Sequence, residues 1–226
     1  MSEYHQYLPS PTSLPGRIAA AARRNMFRIF IDELAPARSN TILDVGVTSN
    51  QTSALDNYLG ILYPFKEQIT AAGLEDATHL EASYPGLTFV RLSAGRLPFE
   101  DGSFDFVHSS AVIEHVGSRE KQVEFLAELW RVARLGLFVT TPNRWYPVEF
   151  HTVLPLVHWL PPTWFRAILR IAGRRFYATE DTLNLLSSST LARAARAAEI
   201  DRPQLQHVSL MGWPTNLLLI ARRRVP

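Results

Sequence analysis

The chain has 226 residues, 46% of them hydrophobic, 11% aromatic and 19% charged. That is the composition of a folded globular domain, and it excludes disordered and collagen-like classes. With 23 basic and 21 acidic residues the net charge is +2, too even for a dedicated nucleic-acid binder, and the lack of cysteine excludes disulfides, thiol catalysis and zinc–thiolate sites.

Residues 1–16 carry Pro9, Pro11 and Pro15 without apolar periodicity and read as a flexible N-terminal arm. From the polar opening no secretory leader is expected. The most apolar stretch, 152–172, is broken by Pro155, His158, Pro161, Pro162, Arg166 and Arg170, so no membrane span is expected and the expected location is cytoplasmic. From 17 to 35 the spacing of Phe27, Phe30, Ile31 and Leu34 predicts a helix that Pro36 stops. Residues 41–45 form a short apolar run ending at Gly46, a buried strand. A helix is expected over 53–63, a weaker strand over 69–72 closed by Gly73, and a short acidic helix over 75–83. Strands follow at 87–92 and 104–108. Residues 119–134 read as a helix with Val123, Leu126, Ala127, Trp130 and Ala133 on one face. A fifth strand spans 135–140. Residues 143–187 are aromatic and proline-rich, and read as a helical cap inserted into the domain 17–226. Ser188 or Ser189 then caps a helix to about 199, and 204–223 reads as two strands about Gly212-Trp213-Pro214.

Strands alternating with helices imply an α/β fold with a mostly parallel sheet and helices on both faces. Ligands of such sheets bind at the carboxyl ends of the strands, so the loops after residues 45, 73, 92, 108 and 140 should line the site.

Ile42-Leu43-Asp44-Val45-Gly46 resembles the first motif of the class I S-adenosylmethionine-dependent methyltransferases. The run from Leu97-Pro98-Phe99 through Asp101-Gly102-Ser103-Phe104-Asp105 resembles that family's signature at its fourth strand, specifically in its type 11-like members. Ile113-Glu114-His115-Val116, Leu129-Trp130-Arg131-Val132 and Phe138-Val139-Thr140-Thr141-Pro142-Asn143 follow in the family's order. The resemblance covers residues 40–143. It implies a Rossmann-like seven-stranded sheet with an antiparallel last strand, and S-adenosylmethionine as cofactor.

The resemblance places cofactor contacts at Asp44, Gly46, Glu75, Ser93 and Ala94, with Ser109 and Ser110 nearby. The sequence departs from the family at several of its positions. Thr48 and Asn50 stand where further glycines are usual. Gly73 stands where an acid commonly binds the ribose, with Glu75 and then Asp76 the nearest substitutes. Ser93 replaces an acid near the adenine. For Asp44 the alternative is a cap on its own loop's N–H groups; for Glu75 and Asp76 it is the first turn of a helix.

His115 is the candidate catalytic base, with the neighbouring Glu114 expected to raise its pKa. The alternative is a helix-start histidine bonded to backbone. His108 reads as a satisfied core histidine. The acceptor side is expected at Asn143, Arg144, Trp145, Glu149 and His151, with Trp159 and Trp164 packing the cap. No metal is expected, because His151 and His158 lie too far apart and lack an acidic partner at ligand spacing. Arg166, Arg170 and Arg174 recur every four residues, a basic helix face suited to an anionic membrane surface or a phosphate-bearing acceptor, or else a solvated arginine face. The expected function is methyl transfer, by in-line displacement, to a small-molecule or lipid- or glycan-linked acceptor. The alternative is a degenerate methyltransferase fold serving as a non-catalytic binding or scaffold module. A nicotinamide oxidoreductase fits less well, since the first loop lacks G-x-G-x-x-G.

Overall fold

Successive strand residues of the chain fall on opposite faces of one sheet. Ile42, Phe106, Phe138, Leu218 and Ile220 pack with Met26, Phe30, Leu34, Tyr58 and Leu80 on one side. Leu43, Val107, Leu137, Val139, Leu217 and Leu219 pack with Leu126, Leu129, Trp130, Leu191 and Ala195 on the other. This period of two puts the central strands between two helical layers, which is why they read as continuous apolar runs.

The computed structural model describes residues 13–49, 56–93 and 95–223. The expectations for the arm up to residue 12, for Asn50, for the start of the helix at 53 and for Ala94 fall outside the described residues. The elements are α1 (Leu14–Leu34), β1 (Ile42–Val45), α2 (Tyr58–Leu62), β2 (Ile69–Gly73), α3 (His79–Ser83), β3 (Thr88–Arg91) and β4 (Phe104–Ser110). They continue with α4 (Arg119–Val132), β5 (Ala133–Pro142), α5 (Pro162–Ile171), α6 (Ser188–Ala197), β6 (Gln204–Leu210) and β7 (Trp213–Arg222). The strand order is β3-β2-β1-β4-β5-β7-β6. The first five strands are parallel, and β7 runs antiparallel to both of its neighbours. The expected seven-stranded, mostly parallel, Rossmann-like sheet is the one found. Its order reverses between β1 and β4, the switch point at which such sheets open a crevice.

Local chemistry sets the boundaries. The Ser13 hydroxyl accepts from the Gly16 N–H, so α1 begins at Leu14, inside the segment expected to be an arm; it ends at Ala35, in a left-handed conformation just before Pro36. The helix expected from 75 starts only at His79. Asp76 instead accepts from the Thr78 N–H and hydroxyl, and that turn occupies the residues before it. Asp76 therefore takes the local role. The cap of α6 is Ser187, not Ser188 or Ser189. Its hydroxyl accepts from the Thr190 N–H while the Thr190 hydroxyl accepts from the Ser187 N–H.

The stretch Leu97–Asp105, which carried the family likeness, is structural. Arg131 on α4 donates to the carbonyls of Phe99 and Leu97 and to Asp101, while Glu128 accepts from the Leu97 N–H. Asp105 is buried and accepts from the Thr41 N–H and from Arg134.

The insert is less helical than expected. It holds one α-helix, α5, and short 3-10 turns at Val157–Trp159 and Arg175–Ala178. Phe165, Leu169, Tyr177, Leu183 and Leu185 form its own small core. Its two ends meet: Asn143 bridges to Leu186, and the Arg144 N–H donates to the Leu186 carbonyl at 2.9 Å. The arginine periodicity is corrected. α5 stops at Ile171, Gly173 follows with φ +73°, and Arg174 lies beyond the helix. Arg170 donates to the Ala178 carbonyl, and Arg166 lies 3.9 Å from Glu180. Trp164, expected to pack, is 67% exposed, whereas Trp159 does pack, against Trp145 and Trp213. Among the described residues no helix is long and apolar enough to cross a membrane.

Candidate active site

A cleft opens at the carboxyl ends of β1 and β4, at the switch point. It is lined by Asp44, Gly46, Val47, Asp56, Asn57, Tyr58, His108 and Ser110. Three of the expected cofactor residues, Asp44, Gly46 and Ser110, meet there.

The turn out of β1 depends on Gly46. Its φ is +94°, a conformation that side chains disfavour, and a Cβ there would lie 2.1 Å from Val112 Cγ2. Its N–H donates to the Ala72 carbonyl at 2.7 Å, which carries the loop across the end of β2. Asn57 then clamps the loop: its Oδ1 accepts from the Thr48 N–H and its Nδ2 donates to the Thr48 carbonyl, both at 3.0 Å. Thr48 is not among the residues with positive φ, so a β-branched side chain is tolerated where the family usually has glycine.

Asp44 is buried and engaged with a side chain, and none of the described N–H groups of the loop donates to it. Its Oδ1 accepts from His108 Nδ1 at 2.7 Å, and His108 Nε2 is 2.7 Å from the Tyr58 hydroxyl. The carboxylate can only accept, so Nδ1 carries a proton, and the ring links Asp44 to the Tyr58 hydroxyl. Burial drives the Tyr58 hydroxyl far above its ordinary range, which keeps it protonated. His108 is the satisfied core histidine expected, though one that also faces the cleft. Asp56 and Asn57 escaped the sequence reading. Asp56 Oδ1 accepts from Arg23, while its buried Oδ2 has no hydrogen-bond partner among the described residues.

The remaining described cofactor candidates, Glu75, Ser93 and Ser109, are not among its lining residues. Gly73 ends β2, and a Cβ there would come within 2.6 Å of the Val47 carbonyl oxygen. The first loop thus occupies the space a ribose-binding acid would need. Glu75 is exposed two residues on, where its Oε2 accepts from the Ser49 hydroxyl at 2.6 Å and ties the loops after β1 and β2. Ser93 is exposed beyond β3. Ser109 is fully buried, its hydroxyl donating to the Val45 carbonyl. The Ser110 hydroxyl pairs with that of Thr140.

Beside the cleft, a second group assembles from distant positions. His115, Glu149 and His151 come together with Glu114. His115 Nδ1 donates to the Thr182 carbonyl at 2.7 Å, and its Nε2 lies 3.0 Å from His151 Nε2. His151 Nδ1 donates to Glu149 Oε1 at 2.6 Å. Glu149 also accepts from the backbone N–H groups of His151 and Thr152. Glu114 is fully buried; its Oε2 accepts from the Thr141 hydroxyl, and its Oε1 lies 3.9 Å from His115 Nε2.

The expected effect of Glu114 on His115 is corrected. Burial and the charge of His151 push His115 down to about 4, so it is neutral. Burial pushes Glu114 up. Burial also opposes the charge on His151, but the hydrogen bond and charge of Glu149 outweigh it and lift that histidine. The expectation that His151 lacks an acidic partner is likewise corrected, by Glu149 and Glu114. His158 stands apart, bonded to the Tyr146 carbonyl.

Asn143, Arg144 and Trp145 knit the root of the insert to the β6–β7 hairpin. Asn143 Nδ2 donates to the Pro214 carbonyl, and its Oδ1 accepts from the Trp145 N–H. Arg144 lies over the Trp145 ring and donates to the Leu160 carbonyl. Trp145 remains 48% exposed, and its carbonyl accepts from the Trp213 indole.

A family model described as a methyltransferase domain matches residues 43–139. The chain is 39% identical over 108 residues to an uncharacterized methyltransferase of Mycolicibacterium vanbaalenii, covering 46% of this chain and 36% of that protein. It is 30% identical over 208 residues to an uncharacterized methyltransferase of Mycobacterium marinum, covering 88% of this chain and 76% of that one. The match thus spans about a third of the first relative and three quarters of the second. Among solved structures, a SAM-dependent methyltransferase of Thermotoga maritima, described as a possible histamine N-methyltransferase, superposes with a TM-score of 0.57. The two are 16% identical, and the alignment covers 93% of this chain and 92% of that one, a likeness of fold.

Proposed function

We propose, since the chain belongs to the class I S-adenosylmethionine-dependent methyltransferases, that it transfers a methyl group to a small-molecule or lipid- or glycan-linked acceptor by in-line displacement. The observation that carries this reading is the polar cleft at the switch point between β1 and β4, where Gly46 turns the backbone sharply beside Asp44.

The residues of this cleft fit the family's cofactor, S-adenosylmethionine. When bound, it supplies a methyl already activated on a sulfonium, so the protein's task is alignment. Gly46 brings backbone close to the ligand. Asp44, fixed by His108 and Tyr58, offers its carboxylate in one orientation. Asp56 Oδ2, buried and without a hydrogen-bond donor among the described residues, accepts from a ligand hydroxyl or amino group. Glu75 takes the ribose side in place of the acid that Gly73 excludes, and Ser93 and Ser110 complete the rim. The insert 143–187 forms the acceptor side, with Trp145 offering exposed aromatic surface and the insert also supplying His151 and Glu149.

Calorimetric titration of the purified protein with S-adenosylhomocysteine, repeated on Asp44→Ala, tests the reading. The expected result is micromolar binding, about −8 kcal/mol, that Asp44→Ala weakens. No heat and no thermal stabilisation at millimolar ligand would refute it, since a ligand far above its Kd raises stability.

A further inference from the structure

Two histidines 36 positions apart present the same ring nitrogen to each other. Each has its other nitrogen fixed: His115 Nδ1 by the Thr182 carbonyl, His151 Nδ1 by the Glu149 carboxylate. That leaves both Nε2 atoms aimed at one point, 3.0 Å apart. A third atom joins them. Glu114 Oε1 is held in place because Oε2 accepts from the Thr141 hydroxyl, and it lies 3.9 Å from His115 Nε2. The Glu114 side chain is wholly buried, yet Oε1 has no hydrogen-bond partner among the described residues.

We propose that Glu114 Oε1, His115 Nε2 and His151 Nε2 form a binding site for one divalent transition-metal ion, of which zinc is the best fit. The ligand atoms lie within 4.8 Å of one another. Zinc bonds of about 2.0–2.1 Å in tetrahedral geometry hold their ligands roughly 3.3 Å apart. The histidine pair reaches that spacing by opening a few tenths of an ångström, while Glu114 Oε1 closes from 3.9 Å on His115 and from within 4.8 Å on His151. Two imidazoles and one carboxylate suit zinc, whereas magnesium and calcium prefer shells of oxygen. The outer partners, a carboxylate on one histidine and a backbone carbonyl on the other, are those that orient metal-bound imidazoles. A hydrogen bond between the two rings accounts for their approach but leaves Glu114 Oε1 buried without a partner; the metal site accounts for both. The inference stands on this geometry alone and does not draw on methyl transfer.

The test is zinc binding to the full chain after chelator treatment, read by calorimetry and by the thermal midpoint, with cobalt(II) as a spectroscopic substitute. One zinc per chain, a raised midpoint and the visible ligand-field bands of a low-coordinate cobalt site are expected, and magnesium should give none of these. Glu114→Gln, which keeps the side-chain volume, should lower zinc affinity at least tenfold. Glu149→Gln, which loosens a histidine without removing a ligand, should lower it about 10–100-fold. Circular dichroism identifies any variant that fails to fold, and the cobalt spectrum of the unaltered chain needs no variant. No zinc binding at micromolar concentration, no cobalt bands, or a folded Glu114→Gln chain that binds zinc as tightly as the parent would each overturn the proposal.

Discussion

Gly46→Ala separates the two demands made on the first loop. The backbone demand is the positive φ of +94°, which costs an L-residue about 1–2 kcal/mol or more. The packing demand is the 2.1 Å approach of the new Cβ to Val112 Cγ2, an overlap that costs about 1–3 kcal/mol if relieved by local shifts. Together they predict a loss of about 2–5 kcal/mol. At roughly 2–4 °C per kcal/mol for a chain of this size, the midpoint should fall by about 4–20 °C. Only the packing part can be recovered, by Val112→Ala, which removes the methyl that the new Cβ meets. Denaturant unfolding of both single variants and the double variant measures this. The two changes should be coupled by about 1 kcal/mol or more, with the double variant more stable than the sum of the single losses implies. A Gly46→Ala chain within about 0.5 kcal/mol of the parent, or additivity within about 0.5 kcal/mol, would refute the reasoning.

Other substitutions probe the neighbouring contacts. Gly73→Asp restores the family's acid but drives a Cβ to within 2.6 Å of the Val47 carbonyl. It should cost about 1–3 kcal/mol and leave S-adenosylhomocysteine affinity no higher, so tighter binding at unchanged stability would contradict the account given for Gly73. Tyr58→Phe strips the hydrogen-bond partner from buried His108 Nε2 and should destabilise by about 1–3 kcal/mol in chemical denaturation; a change too small to measure would remove this bond from the list of stabilising contacts. For Asp105, burial opposes ionisation, but the hydrogen bonds from Arg134 and the Thr41 N–H outweigh it and hold the carboxyl below the usual range. Its stabilising contribution is therefore complete above the unfolded carboxylate pKa of about 3.9, and is lost as pH falls through the lower folded value. Asp105→Asn should flatten the decline of stability between about pH 5 and pH 2, and an unchanged acid profile would count against the pairing.

Most of the fold was legible because it is written locally. The alternating strands and the apolar stripes of α1 and α4 carry their own periodicities, and Pro36 marks an end that the structure keeps. Where the reading failed, side chains had overruled propensity. Three consecutive serines, 187–189, have equal claims as a cap by type; the choice falls to Ser187 because Thr190 lies three residues on to reciprocate. The acidic run at 75–76 resembles a helix start, but Asp76 spends its carboxylate on Thr78. The candidate site was visible in part. Asp44 and Gly46 stand in a contiguous motif, whereas the partner of Asp44 is 64 residues away and no local signal announces it. His115 and His151 were each noticed alone; their meeting depends on how the irregular insert returns across the sheet, which composition does not encode. The motif that named the family most clearly, 97–105, is engaged in structural hydrogen bonds. It is the buckle by which Arg131 and Arg134 fasten α4 and the start of β5 to the sheet.

The meeting of Asn143 with Leu186 makes the insert a loop with coincident ends. A change of length between those ends leaves the register of β5 and the cap of α6 in place where it keeps the contacts of Thr182 and His151 with His115 and of Trp145 with Trp213. Closing a longer loop adds little entropy cost, about 0.6 kcal/mol for each doubling.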